Sequence, residues 1–171
     1  MEKTIRVSVV GLGWPGLRHL EAYLKHPAVE VLAVCDANPI LLASTQRQYQ
    51  VERGFGDLES LLALDGLDAV SICTPNFLHE PMVRASLAAG KHVLCEKPLA
   101  ASLEQGERLA AAARDSDRVC MIGFGRRYRE DSRAIKAIVE SGDLGEIYHA
   151  RCFWLRRSGI PRITKNLGAK A

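Results

Sequence analysis

The sequence predicts a doubly wound, parallel α/β sheet. Three observations carry this expectation. Short apolar runs rich in Val and Ile alternate with helical patterns six times across residues 1–125. The first run passes straight into a glycine turn and a helix. Polar groups gather where successive runs end, the edge at which open α/β sheets bind ligands.

Taken in order, residues 4–10 read as a buried strand. Gly11, Gly13 and Gly16 follow in G-x-G-x-x-G spacing, and Leu17, Leu20 and Leu24 then recur at the helical period. His26-Pro27 ends that helix. Residues 29–35 form the second strand, after which Asn38 is an N-cap and Pro39 the first position of a helix to about Tyr49. Residues 51–55 are a short third strand, and Asp57 caps a brief helix through Leu64. Residues 68–73 are the fourth strand, closed by Thr74-Pro75-Asn76, with a helix over 77–89 that stops at Gly90. Residues 91–95 are the fifth strand, ending in Glu96-Lys97-Pro98. Ser102 and Gln105 make a capping-box pattern for a helix to about Arg114, and residues 118–123 are the sixth strand.

Strand, glycine turn and helix in that order point to a dinucleotide site. Gly11 permits the tight turn, Gly13 leaves room for a diphosphate, and Gly16 lets the helix pack on the strand. An anion there meets free N–H groups and the positive end of the helix dipole. Trp14 and Pro15 complete the loop; Pro15 suits the first helical turn yet removes one N–H from the cradle. A plain glycine turn is the alternative. Asp36, 20 residues past Gly16, stands where an acid accepts hydrogen bonds from the adenosine ribose hydroxyls. Ala37 follows it rather than Arg, so NAD is expected ahead of NADP.

Composition is that of an ordinary globular protein, 47% hydrophobic and 25% charged. The 171 residues suffice for one substantial domain and not for two full ones. Residues 1–6 show no apolar signal region and no run reaches membrane-spanning length, so a cytoplasmic protein with no membrane partner is expected. Five cysteines without a C-x-x-C read as reduced small hydrophobes. The net charge of +3 divides into +6 over residues 126–171 and −3 before them. That basic stretch carries no recognisable nucleic-acid motif, so no nucleic-acid partner is expected. His19 and His79 have no companions at metal-ligand spacing, so no metal site is expected. His19 reads as a packing residue one turn past the glycine loop; His79 reads as a helix-start cap or a cofactor contact.

Glu96-Lys97-Pro98 after the fifth strand, with the glycine turn, Asp36, Thr74-Pro75-Asn76 with His79, and the stretch from Gly123 to Tyr128, resembles the Gfo/Idh/MocA family over residues 4–161. The resemblance implies a Rossmann-type NAD(P)-binding domain, over residues 1–125 here, and an oxidoreductase acting on sugars, polyols and related compounds. It implies that Lys97 stands near the nicotinamide ribose and the reacting hydroxyl. An ammonium there can hydrogen-bond the oxygen or relay its proton. Glu96 would hold Lys97 and the ribose, and a cis bond before Pro98 would aim Lys97 into the cleft. Thr74, Pro75 and Asn76 would line the groove, with Arg127 toward the nicotinamide end.

Residues 126–171 are then expected to hold a linking helix over 131–140 and, over 146–155, the first strand of a second α+β domain for substrate binding and oligomerisation. Tyr148, Ala150, Cys152 and Trp154 share one face of that strand. Family members run to about twice this length, so the chain reads as a truncated or frame-shifted member, or a natural half-length one. It would self-associate through the exposed strand and turn over little alone. The competing reading is a non-catalytic nucleotide-binding or interaction module. A short-chain dehydrogenase is disfavoured because no Tyr-x-x-x-Lys occurs, and a methyltransferase because it gives no reason for Glu96-Lys97-Pro98.

Overall fold

The computed structural model describes residues 4–153 and residue 155. Six strands, β1 (Ile5–Val10), β2 (Val29–Cys35), β3 (Gly54–Phe55), β4 (Ala69–Ile72), β5 (His92–Glu96) and β6 (Cys120–Gly123), form one sheet in the order β3-β2-β1-β4-β5-β6. Every pairing is parallel. The helices are α1 (Trp14–Leu24), α2 (Pro39–Tyr49), α3 (Leu58–Leu62), α4 (His79–Ala88), α5 (Leu103–Asp115) and α6 (Glu130–Glu140). None is long and apolar enough to cross a membrane. The chain divides into two compact units, residues 1–123 and 124–171.

Strand alternation builds two cores in the first unit. Val9 and Val34 face one way and pack with Leu12, Leu20 and Val51 under α1 and α2. Val10, Ala33, Cys35, Val70, Ile72, Val93 and Cys95 face the other way, against Leu61, Val83, Leu87 and Leu109 from α3, α4 and α5. A sheet covered on both faces needs apolar residues at consecutive positions, which is why its strands read as unbroken runs.

The helix ends follow their capping residues. The Asn38 side chain accepts hydrogen bonds from the N–H groups of Ile40 and Leu41, Asp57 from Ser60 and Ser102 from Gln105. Gly90, at φ 72°, follows α4 as expected of a helix-ending glycine. The helix expected from residue 77 opens with a 3-10 turn, Asn76–Leu78, before α4 begins.

Two expected strands differ. β3 shrinks to two residues because the Gln46 side chain donates to the carbonyls of Val51 and Glu52, at 3.3 and 2.8 Å, ahead of the ladder. Among the described residues of 146–155 no strand forms. A strand gains its hydrogen bonds only from a neighbour, and no other strand lies among the described residues of the second unit. Trp154 lies outside the described residues.

Candidate cofactor site

The strand order fixes the site. Asp36 follows β2, the glycine turn follows β1, Thr74-Pro75-Asn76 follows β4, and Glu96-Lys97-Pro98 closes β5. Because β2, β1, β4 and β5 are neighbours in that order, these four groups stand in a row along the C-terminal edge. The chain reverses direction across the sheet between β1 and β4, the switch point at which such folds open a ligand crevice.

The glycines divide the work. Gly11 has φ 87°, and a Cβ on it would stand 2.8 Å from the Cys73 carbonyl carbon. A Cβ on Gly16 would fall 1.8 Å from the Gly11 oxygen, so α1 crosses the turn with no space for a side chain. Gly13 is exposed, and its Cβ would meet nothing nearer than Pro15 Cδ at 3.9 Å. The outer two glycines serve packing, and the middle one leaves open the surface a diphosphate would cover. Gly13 caps α1 without a side chain, Pro15 lies in the first turn, and no acid occupies it, so the helix N-terminus retains its affinity for an anion. Trp14 is 78% exposed beside it.

Asp36 is held by main chain. Its Oδ2 accepts the Leu12 N–H at 2.7 Å and its Oδ1 the Asn38 N–H at 2.8 Å. The carboxylate is therefore tied to the glycine turn, and each oxygen keeps a lone pair for a further donor. Thr74 is half-buried, and Pro75 and Asn76 are exposed. The Lys97–Pro98 peptide is cis, as the sequence reading expected, and Lys97 is exposed. Glu96 Oε2 accepts the Lys97 main-chain N–H at 3.2 Å.

His79 is fully buried, with ring nitrogens 2.7 Å from the Pro98 carbonyl and 2.9 Å from the Thr74 carbonyl. It thus lies behind the edge and ties the β4 and β5 turns together. Arg127 belongs to the second unit, where it is exposed in a 3-10 turn, Gly125–Tyr128. Sequence reasoning gave His19 no role here, yet its Nε2 lies 3.2 Å from Glu96 Oε1 and its Nδ1 2.7 Å from Ser71 Oγ. The signal available was Ser71 itself, a polar residue inside an apolar strand.

The cysteines behave as small hydrophobes where they are buried. Burial pushes the thiols of Cys35, Cys73 and Cys95 up to about 12. Cys120 is partly buried, whereas Cys152 is exposed and departs from that expectation.

A six-stranded 3-2-1-4-5-6 sheet with this glycine turn and a strand-end acid defines the class: a Rossmann-type dinucleotide-binding unit. The chain belongs to the Gfo/Idh/MocA oxidoreductases, since that family's model, described as an oxidoreductase family with an NAD-binding Rossmann fold, matches residues 5–124. It is 32% identical over 158 residues to the D-glucoside 3-dehydrogenase of Escherichia coli, spanning 92% of this chain and 45% of that protein. It is 31% identical over 153 residues to the inositol 2-dehydrogenase of Corynebacterium glutamicum, spanning 88% and 45%. The scyllo-inositol dehydrogenase of Lactobacillus casei, solved with NAD(H) and scyllo-inositol bound, superposes with a TM-score of 0.81 at 29% identity, over 84% of this chain and 43% of that one. The chain thus spans less than half the length of these relatives.

Proposed function

We propose that this chain is the cofactor-binding half of an NAD-dependent dehydrogenase that acts on a hydroxyl-bearing carbon of a sugar or polyol. The row of Asp36, the glycine turn, Thr74–Asn76 and Glu96–Lys97 across four adjacent strand ends carries the reading. It matches the succession of adenosine ribose, diphosphate and nicotinamide ribose along an extended dinucleotide. The open surface at Gly13, where a Cβ would meet nothing nearer than Pro15 Cδ at 3.9 Å, leaves room for the diphosphate.

Asp36 receives the ribose hydroxyls, and its negative charge opposes a 2′-phosphate, which favours NAD over NADP. Thr74, Pro75 and Asn76 line the middle of the groove. Lys97 is the catalytic group: its ammonium hydrogen-bonds the reacting oxygen and takes part in moving the hydroxyl proton. Glu96 anchors the Lys97 main chain. The nicotinamide, when bound, supplies the hydride acceptor or donor.

Residues 126–171 belong to the substrate and oligomerisation domain. Self-association rests on exposed apolar side chains, with Tyr148 95% and Phe153 71% exposed, rather than on a strand edge. Sedimentation at rising concentration checks it, and a monomer throughout contradicts it. Titration with NADH and NADPH tests cofactor choice: wild type binds NADH more tightly, and Asp36→Ala narrows the gap.

A further inference from the structure

His19 lies on α1 three residues past Gly16, and the proposed function does not use it. Its side chain is only 20% exposed, as is that of Glu96. The Tyr23 ring, one turn further on, stands edge-on to it with centroids 6.2 Å apart. Its two polar partners come from different strands. Ser71, fully buried in β4, shares a sheet face with neither Val70 nor Ile72, whose side chains enter the opposite core. Glu96 closes β5. Gly123 in β6 lies alongside: a Cβ there would stand 3.3 Å from the Cys95 carbonyl oxygen and 3.4 Å from Glu96 Oε1.

The hydrogen bonds assign the ring. A carboxylate only accepts, and Glu96 Oε2 already receives the Lys97 N–H. Oε1 therefore receives its bond from His19 Nε2–H. In the neutral ring Nδ1 then carries the lone pair and accepts the Ser71 hydroxyl, 2.7 Å away. The glutamate selects the tautomer, the serine hydroxyl turns to suit it, and the glutamate is held by a donor on each oxygen. Remove His19, and Oε1 loses its donor. The carboxylate is then free to turn toward water and to release the Lys97 main chain.

We propose that His19 is a positioning residue that fixes Glu96 and, through it, Lys97. It thereby links α1, whose N-terminus takes the diphosphate, to the turn that carries the reactive lysine. This rests on the cofactor reading given above.

Nitrogen-15 NMR of the free 171-residue chain tests the ring directly: His19 shows a proton on Nε2 and none on Nδ1. Phenylalanine and glutamine then separate filling the space from donating the bond. His19→Phe shifts the Lys97 amide resonance and weakens NADH about tenfold, and His19→Gln restores most of both. A ring proton on Nδ1 with a bare Nε2 overturns the proposal, as does a Lys97 amide indifferent to His19→Phe. The ring measurement needs no nucleotide. A chain that ignores NADH therefore defeats the cofactor reading while the His19 geometry is still judged.

Discussion

Gly13 and Gly16 are the same residue type three positions apart, and the structure asks opposite things of them. A methyl group at Gly16 must displace the Gly11 carbonyl, so Gly16→Ala is expected to destabilise the fold by at least about 3 kcal/mol. A methyl group at Gly13 meets open space, so Gly13→Ala is expected to melt near wild type, and Gly13→Val to fold yet lose NADH affinity at least tenfold. Thermal unfolding and NADH titration of the three variants separate the roles. The thiols give a second residue-level prediction. Cys35, Cys73 and Cys95, with thiols pushed up to about 12, are expected to resist iodoacetamide at pH 8, while exposed Cys152 reacts. Mass spectrometry of the native chain checks it, and rapid modification of the buried three contradicts it. The tight packing at Gly11 and Gly16 and the strand-end place of Asp36 were legible in spacing alone, because a strand, a turn and a helix in sequence already determine them. The His19–Glu96 contact was not, because it joins residues 77 apart through the packing of α1 across β4 and β5.

Helices here were more readable than strands. Asn38, Asp57 and Ser102 act on N–H groups two or three residues away, so their local sequence suffices. Asn38→Ala is expected to cost about 1 kcal/mol, measured by denaturant unfolding. The ladder of a strand depends on a distant partner. That is why the alternating pattern over residues 146–155 misled, and why β3 yielded most of its length to Gln46. Helices α4 and α5 are joined by Glu80, which accepts from Arg84 at 3.2 Å and from Arg108 at 3.1 Å. Burial alone would raise the Glu80 carboxyl, and the two guanidiniums outweigh it and hold it below its ordinary value of 4.5. A depressed folded value means the unfolded chain takes up the proton first. The contribution is thus present above pH 4.5 and is lost as the pH falls through the folded value. Glu80→Gln is expected to be less stable than wild type at pH 7, with the difference shrinking under acid. An unchanged difference down to pH 3 contradicts this.

At the scale of the molecule, the order β3-β2-β1-β4-β5-β6 turns groups scattered from Gly11 to Pro98 into one continuous edge. Alternation of strands and helices foretold a parallel sheet. The row itself follows from right-handed crossovers that wind outward in both directions from β1 and β4. The sequence alone named the groups without showing them side by side. The central claim is that this edge holds NAD. Calorimetric titration of the chain with NADH, beside Gly13→Val and Asp36→Ala, tests it most directly. The account predicts saturable binding of one NADH per wild-type chain and at least tenfold weaker binding in both variants; no heat at millimolar NADH, or equal affinity in all three, would contradict it.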